Sequence, residues 1–356
     1  MTSHKASAAA APGTAAAAPT SRPDPADDFF RKQTVASRIQ SVLHRYPALS
    51  PAVVLVASVI VFGIMNDRFL RPENLSLITQ QVAVVGALAV GQTLIILTAG
   101  IDLSVGAIMV LSTMVMAQTA TANGVPAIPA LGVGLLVGLA AGAVNGLLVT
   151  RLKLPPFIAT LGTLSVFTAL TLLYSHGATV RGGELPGLLT WTGEAFTVGG
   201  VRITMGVLVM LVLYAVVAYA LSKTAWGRHV YAVGDDPEAA GLAGIAVKRV
   251  LLSVYISAGA VFGVAGWILV GRINAASPNA GTDANLDSIT AVVIGGTSLF
   301  GGRGAVWGSL LGALIVGVFR NGLSLAGFDQ LYQTLAVGVL VIVAVTIDQW
   351  IRKGRA

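Results

Sequence analysis

Residues 204–222 read TMGVLVMLVLYAVVAYALS, a run of 19 residues without a charged side chain. A helix that crosses the hydrocarbon core of a bilayer needs about 20 predominantly apolar residues, so this stretch is predicted to be a membrane span. Nine further stretches of this kind lie at 48–65, 79–99, 103–121, 126–149, 156–175, 250–271, 286–300, 304–320 and 331–350. Together they predict an all-α, polytopic transmembrane helical bundle of about ten spans.

The distribution of basic residues predicts the orientation of these spans. With ten spans and the N-terminus inside, 14 Lys or Arg residues near span ends face the cytoplasm and six face outside. An excess of Lys and Arg is typical of cytoplasmic loops, so both termini are predicted to be cytoplasmic. Eight or nine spans are the alternatives, because 286–300 and 304–320 are short and rich in glycine and one or both could be broken helices.

The composition excludes several classes of protein. Only 10% of the 356 residues are charged and the mean hydropathy is +0.82, whereas soluble domains carry roughly 25% charged residues. A soluble enzyme or a nucleic-acid-binding protein of this size needs more charge on its surface, despite the pI of 9.9. Since there is no cysteine, disulfides and thiol nucleophiles are excluded, and the four isolated histidines predict no metal site.

The chain divides into a tail and a membrane domain. Residues 1–47 are rich in Ala and Pro, carry no signal-peptide pattern and are predicted to be a disordered cytoplasmic tail. Residues 48–350 form the predicted membrane domain, and 351–356 are its cytoplasmic C-terminal end. Two connections are longer than a turn: 176–203 is predicted to be a periplasmic excursion with a hairpin, and 223–249 a cytoplasmic loop.

The cytoplasmic loop carries the pattern of a short helix. Asp235 or Asp236 can cap the first turn, and Pro237 can occupy the first helical position. Glu238 then lies where an acidic group suits the helix dipole, and Gly244 is predicted to end the helix. The small residues of this helix favour a knob that fits a groove on another protein. A capped connector without a partner is the alternative.

Four segments resemble one family of membrane proteins. They are 98–106 (TAGIDLSVG), 157–163 (FIATLGT), 232–245 (AVGDDPEAAGLAGI) and 295–304 (GGTSLFGGRG). In sequence and order they are similar to segments of the permease subunits of bacterial ABC monosaccharide importers, in the ribose/xylose/arabinose/fructose-type branch. The resemblance extends over roughly residues 50–350.

The resemblance implies a set of partners and a location. Such permeases work in the bacterial inner membrane as a pair, here a homodimer, with two cytosolic ABC ATPase subunits, a periplasmic sugar-binding protein and a monosaccharide substrate. ATP and Mg²⁺ would be bound by the ATPase, no cofactor by this chain, and nucleic acid is not an expected partner. The ATPase would press on the loop at Gly234, Asp235, Asp236, Pro237, Glu238, Ala239, Ala240 and Gly244.

The residues themselves also indicate that any ATPase is a separate chain. A Walker A motif has the pattern GxxxxGK[ST], in which backbone amides and the lysine hold the phosphates. The only lysine followed by Ser or Thr is Lys223, and Ser222 precedes it in place of the required glycine. The chain is therefore predicted to be a transport subunit and not an enzyme.

Several polar residues are candidates for the translocation pathway or its gate. Asp102 lies near the cytoplasmic interface at a glycine-flanked break between two spans, where it acts either as a helix cap or as a gate. Asn and Thr residues could bind sugar hydroxyls, although these residues often bridge neighbouring helices in lipid instead. The full set is Asp102, Ser104, Asn145, Thr160, Thr163, Asn274 and Asn321. Asp283 and Asp287, near the outer mouth, are expected in a solvated loop or against basic residues of a docking protein.

Two stripes of glycine recur at every fourth position. They consist of Gly134, Gly138, Gly142 and Gly146 in the fourth span, and of Gly304, Gly308 and Gly312 in the ninth. This small-xxx-small pattern predicts close packing between helices, with a substrate-lining role as the alternative.

The permease subunit of an ATP-driven sugar importer is thus the favoured function. The main alternative is an ion-coupled secondary sugar carrier acting alone, which leaves the loop and the lack of acids in the second to sixth spans unexplained. A passive channel is the third possibility. An intramembrane enzyme is disfavoured because no nucleophile–base arrangement or metal site is visible.

Overall fold

The computed structural model describes residues 49–281 and 283–353, which are mostly helical. The predicted tail at 1–47, residue 48 and the last three residues of the C-terminal end lie outside the described residues. In chain order the helices are α1 (Leu49–Met65), α2 (Pro72–Leu97), α3 (Val105–Thr121), α4 (Ala127–Thr150), α5 (Pro156–Ser175), α6 (Gly187–Thr190), α7 (Met205–Lys223), α8 (Ala225–Asp235), α9 (Pro237–Leu242), α10 (Val247–Ile273), α11 (Ala284–Ile294), α12 (Val306–Leu325) and α13 (Gln330–Lys353). The short strands are β1 (Val180–Arg181), β2 (Ala195–Val198), β3 (Val201–Thr204) and β4 (Ala275–Ala276).

A helix overlaps each of the ten predicted spans, but the helices differ in length. Among the described residues, α2, α4, α5, α7, α10 and α12 are long and apolar enough to cross a membrane. By contrast, α11 has 11 residues and extends about 17 Å, roughly half of the hydrocarbon core. The predicted span at 286–300 is broken after Ile294, where Gly296 adopts a φ of +85°. The protein is therefore a multi-pass helical bundle that contains at least one short, broken segment.

The centre of the bundle is formed by α2 and α10. These two helices contact each other, and α10 also packs against α3 and α4. Tyr255 and Phe262 of α10 are among the largest fully buried side chains. Helices α5 and α7 instead expose apolar side chains, such as Leu173 and Val212, on the outside of the bundle. Such outer faces suit a lipid environment, which is as apolar as leucine.

The first glycine stripe lies at the contact between α4 and α10. A Cβ atom on Gly138 would lie 2.5 Å from the carbonyl oxygen of Gly259, and one on Gly142 would overlap the carbonyl oxygen of Tyr255. The other members of the stripe also face neighbouring helices: Gly134 and Gly146. The lack of side chains therefore allows the two backbones to approach closely.

We expect Gly142→Ala to lower the free energy of unfolding by about 1–3 kcal/mol, because the new methyl group meets backbone that cannot rotate away. The matched control is Gly132→Ala on the same helix, where a Cβ would meet nothing within 4 Å. Alanine is the better helix former, so this control should be neutral or stabilising by up to about 1 kcal/mol. Urea unfolding in detergent measures both, and equal stabilities would contradict the close packing.

The second glycine stripe is only partly helical. A Cβ on Gly312 would overlap the backbone of Ala291 in α11, and a Cβ on Gly308 would overlap Gly295, the residue that follows α11. Gly304 was expected in the same helix, but α12 begins at Val306 and Gly304 lies in the preceding loop with a φ of +146°. That backbone conformation is incompatible with a helix and favours glycine.

The connections between the helices gather at two ends of the bundle. At one end, β2 and β3 form the predicted hairpin, in which Phe196 pairs with Ile203 around the Gly199–Gly200 turn. At this end β1 also pairs with β4, and the backbone N–H of Arg202 donates to Ser76 Oγ at 2.8 Å. The connections before α3, between α7 and α10, and before α12 meet at the other end.

Candidate functional site

The predicted cytoplasmic loop contains two helices, of which only the second is expected from the sequence. The first, α8, begins after Thr224, whose side-chain oxygen accepts a hydrogen bond from the Gly227 backbone N–H at 3.2 Å. Val230 and Val233 are buried on one side of α8. Thr224 before apolar residues at helical spacing is a recognisable start signal, but the interspersed glycines and charges make it weak.

The predicted short helix is confirmed as α9. Asp236 is its N-cap, and its Oδ1 accepts hydrogen bonds from the backbone N–H groups of Glu238 at 2.9 Å and Ala239 at 3.0 Å. Pro237 occupies the first helical position, and Gly244 lies just beyond the helix with a φ of +85°. The local cap and turn residues thus determine the position of α9 in the chain.

Most of the surface of α9 is free in the monomer. Among its six residues only Ala240 is buried. Glu238 is exposed, and Leu242 is 92% exposed. The helix therefore presents one large apolar side chain next to acidic ones, where the sequence pattern suggested small residues alone.

The helix α8 is docked onto the bundle through its second half. A Cβ on Gly234 would overlap the carbonyl oxygen of Leu97, the last residue of α2, and would lie 2.8 Å from the Gly302 nitrogen. Gly302 N–H itself donates to the Leu97 oxygen at 2.9 Å. The Tyr231 hydroxyl donates to the Gly304 oxygen at 2.9 Å, and burial raises the pKa of Tyr231. Two of the family-like segments, 232–245 and 295–304, therefore meet at this point, directly beside Leu97, which precedes the segment 98–106.

The seven residues between α2 and α3, 98–104, form a connection that we call the link. Gln92, which lies five residues before the end of α2, donates from Nε2 to the backbone oxygen of Asp102 at 3.2 Å. The link thus folds back along α2 and carries Asp102 into the bundle, where this residue is 1% exposed. The Asp102 side chain is therefore enclosed by protein and not open to solvent.

Asp102 organises the start of α3. Its Oδ1 accepts hydrogen bonds from the backbone N–H of Ser104 at 2.7 Å and from the Ser104 hydroxyl at 2.6 Å. The helix starts at Val105 with Ser104 as the N-cap residue, so Asp102 orders the turn before the helix and is not itself the cap. A role for Asp102 in gating stays a prediction.

Five of the seven candidate pathway residues come together around the link. Asn145 of α4 donates from Nδ2 to Asp102 Oδ2 at 3.2 Å and to Ser104 Oγ at 2.8 Å. Thr163 of α5 donates to Asn145 Oδ1 at 2.7 Å, and Thr160 Oγ1 accepts a hydrogen bond from the link backbone at 3.1 Å. We call this cluster the link network: Asp102, Ser104, Asn145, Thr160 and Thr163. The network also brings the family-like segment 157–163 into contact with the segment 98–106.

The other two candidate pathway residues lie elsewhere. Asn274 is the exposed residue that ends α10, in the left-handed conformation with a φ of +50°. Asn321 lies within α12 and forms a reciprocal pair of amide hydrogen bonds with Asn74 of α2, both at 2.8 Å. The Asn321 side chain therefore bridges two helices in the way that buried amides often do in lipid.

The acids expected at the outer mouth form an ion pair within the chain. Asp287 is 4% exposed, and its Oδ1 is 2.7 Å from Nη2 of Arg320 on α12. Asp283 Oδ2 is 3.5 Å from Nη1 of the same arginine. The expectation that Asp287 lies in a solvated loop is wrong, because Asp287 lies within α11 and its side chain is buried against Arg320 of α12.

Two further buried polar side chains lie next to the link. Tyr255 OH and Gln92 Oε1 are buried without a hydrogen-bond partner in the part of the chain that the structure describes. A Cβ on Gly100 would lie 3.0 Å from Tyr255 OH, so this tyrosine reaches the link. Within residues 49–281 and 283–353, no group of three or more His, Cys, Asp or Glu side chains is arranged to hold a metal ion.

Known proteins are similar to this chain in sequence over most of its length. Residues 74–345 match the model of the family described as branched-chain amino acid transport system / permease component. The chain is 52% identical over 327 residues to the fructose import permease protein FrcC of Rhizobium meliloti, with 90% of each chain covered. It is 41% identical over 301 residues to the ribose import permease protein RbsC of Bacillus subtilis, covering 85% of this chain and 92% of the relative. It is 36% identical over 301 residues to the D-allose transport system permease protein AlsC of Escherichia coli, covering 84% and 91%. The chain therefore belongs to this family of transport-system permease components.

Proposed function

We propose that the chain forms the translocation path of an ATP-driven, binding-protein-dependent monosaccharide importer in the bacterial inner membrane. The observation that carries this proposal is the exposed, capped helix α9. It follows directly after α8, and α8 docks onto the end of α2 and onto the loop before α12. Relatives named as fructose, ribose and D-allose permeases support the substrate class.

We place ten segments across the membrane with both termini in the cytoplasm. Connections that this orientation places on the same side of the membrane contact one another at the same end of the bundle. On the cytoplasmic side, Gly302 contacts Leu97, and Gly304 contacts Tyr231. On the outer side, the strand pairing of β1 with β4 joins two further connections. These contacts support the orientation, in which α11 covers only part of its crossing.

The energy for transport comes from partners in this proposal. In it the chain binds no cofactor of its own. Because the chain lacks a Walker A motif, ATP with Mg²⁺ is bound by separate ABC ATPase subunits. Two copies of the chain form the path, and a periplasmic binding protein delivers the sugar. Closure of the ATPase pair presses on α9, and α8 carries this motion to the ends of α2 and of the 295–305 loop.

We expect Leu242→Asp to weaken binding of the ATPase by about tenfold or more, because a leucine buried in a groove contributes about 1.5–3 kcal/mol and an unpaired charge there is unfavourable. Leu242→Met is the matched control, since it keeps an apolar side chain of similar volume. Co-purification of the ATPase with each variant in detergent measures the effect. Equal recovery of the ATPase with Asp and with Met would contradict a docked Leu242.

Sugar uptake into proteoliposomes tests the proposed function. Three preparations are compared: the chain alone, the chain with its ATPase, and the chain with both the ATPase and the binding protein. Labelled D-ribose and D-fructose serve as substrates, with ATP inside or outside the vesicles. The proposal predicts accumulation only in the complete preparation with ATP on the ATPase side. Accumulation by the chain alone, driven by a proton or sodium gradient, would support the secondary carrier instead.

A further inference from the structure

The link is held between two sets of contacts. From one side, the loop before α12 touches it: a Cβ on Gly301 would lie 2.9 Å from Ala99 N and would overlap the carbonyl oxygen of Gly234 on α8. From the other side, the link network ties it to α4 and α5. Ala99 has a φ of +58°, a left-handed conformation that costs a non-glycine residue energy and persists only where its surroundings impose it. The link is therefore a short segment whose conformation depends on both neighbours.

The side-chain donors of the link network are all engaged within the chain. The two N–H groups of Asn145 are used on Asp102 and Ser104, and the Ser104 hydroxyl is used on Asp102. The Thr163 hydroxyl is used on Asn145, and the Thr160 hydroxyl on backbone carbonyl oxygens. All five residues are at most 6% exposed. A sugar would have to break these hydrogen bonds to be bound here, and each buried group left unpaired would cost about 1–3 kcal/mol.

The network connects elements that are distant in the sequence. Asn145 and Asp102 are 43 residues apart, and Asn145 and Thr163 are 18 residues apart on adjacent helices. Because these hydrogen bonds are buried, a displacement of the link must either move the N-terminal end of α5 and the C-terminal end of α4 or break them. Such a contiguous path of packed backbone and buried hydrogen bonds can carry energetic coupling between two sites.

We propose that the link network is a mechanical latch that transmits movement of α8 to α4 and α5. Asn145 and Thr163 are positioning residues in this role and do not contact the sugar. The ATPase displaces α9 and α8, the Gly234–Leu97 contact displaces the link, and the network moves α4 and α5 so that the cytoplasmic end of the path opens. This inference rests on the proposed function, since it assigns a route to the coupling between the ATPase and the path.

Three variants of one helix test the latch in the complete proteoliposome preparation. Thr163→Val removes the hydroxyl that binds Asn145 with little change in volume, and Thr163→Ser restores it. Thr171→Val is the matched control, because Thr171 is also buried on α5 but its hydroxyl donates only to Phe167 of its own helix. Each preparation is assayed for ATP hydrolysis stimulated by the sugar-loaded binding protein, for sugar taken up per ATP, and for the thermal unfolding midpoint.

The latch predicts that Thr163→Val lowers sugar uptake per ATP by about fivefold or more. Thr163→Ser and Thr171→Val should keep the wild-type ratio, with unfolding midpoints of the two valine variants close together. A wild-type ratio for Thr163→Val, or the same fall for Thr171→Val, would overturn the latch. A raised KM for sugar at an unchanged ratio would also overturn it, in favour of sugar contact. If wild-type protein shows no ATP-driven uptake, the proposed function fails, and that result is separate from any difference among the variants.

Discussion

Gly234→Val is expected to reduce ATP-driven sugar uptake by about tenfold or more while ATP hydrolysis by the complex continues. Any Cβ at this position overlaps the Leu97 carbonyl oxygen and approaches the Gly302 nitrogen, and both are backbone atoms that cannot rotate away. The substitution must therefore lift α8 off the bundle, at a cost of about 1–3 kcal/mol for the overpacked contact. Parallel assays of uptake and phosphate release in proteoliposomes measure the effect.

Two further variants show whether the loss comes from the contact at Gly234. Gly132→Val introduces the same side chain on α4, where a Cβ meets nothing within 4 Å, and should leave uptake per ATP unchanged. Tyr231→Phe removes the hydrogen bond to Gly304 without adding volume and should lower uptake in the same direction by a smaller factor. Wild-type uptake per ATP in Gly234→Val, with the protein present in the membrane, would contradict transmission through α8.

Arg320→Ala is expected to lower the free energy of unfolding by about 3–5 kcal/mol. The arginine makes two hydrogen bonds to Asp287 Oδ1, at 2.7 and 3.2 Å, and a longer contact to Asp283. Removing it leaves the buried Asp287 carboxylate without a counter-charge between α11 and α12. Thermal and urea unfolding of the purified permease in detergent measure the loss.

A double variant distinguishes an unpaired charge from a simple loss of packing. Arg320→Met combined with Asp287→Leu removes both charges and should recover most of the lost stability, because apolar replacement of a buried pair is often neutral. Arg202→Ala, at an exposed position on β3, is the surface control and should change stability by no more than about 0.5 kcal/mol. If Arg320→Ala were as stable as Arg202→Ala, the ion pair between Arg320 and Asp287 would contribute nothing to the free energy of unfolding.

The features that could be predicted from the sequence are those encoded by neighbouring residues. Runs of apolar residues located a helix at each predicted span, and Asp236, Pro237 and Gly244 located α9. The β2–β3 hairpin also followed from a local pattern, two alternating segments around Gly199–Gly200. In each case the signal lies within a few residues of the element that it describes.

The features that could not be predicted depend on partners far apart in the chain. Asp287 and Arg320 are 33 residues apart, so the sequence shows two isolated charges where the structure has an ion pair. The polarity of Asn321 makes it a candidate pathway residue, but its amide pairs with Asn74, 247 residues away. The burial of Asp102 follows from the fold-back of the link onto Gln92, which no local pattern reveals.

In the candidate site, too, some features follow from local sequence and others depend on residues far apart in the chain. Polarity alone identifies the members of the link network as candidate pathway residues. Their mutual hydrogen bonds cannot be predicted, because they form only when α4, α5 and the link pack together. The sequence does not predict α8, because Gly227 and Gly234 weaken its helical pattern. In the structure Gly234 is required for the close approach of α8 to α2. The same glycine therefore weakens the helical pattern in the sequence and allows α8 to pack against the bundle.

Crosslinking from α9 tests the central claim, that this helix is where the ATPase drives the permease, most directly. The chain has no cysteine, so Leu242→Cys introduces a unique thiol for a benzophenone maleimide, and Leu173→Cys, 70% exposed on α5, provides the matched control. In the reconstituted complex we expect photocrosslinking of the ATPase from position 242 and not from position 173, with ATP-driven uptake lost in the crosslinked fraction. An assembled complex that gives no crosslink from position 242, or that transports normally once crosslinked there, would contradict the account.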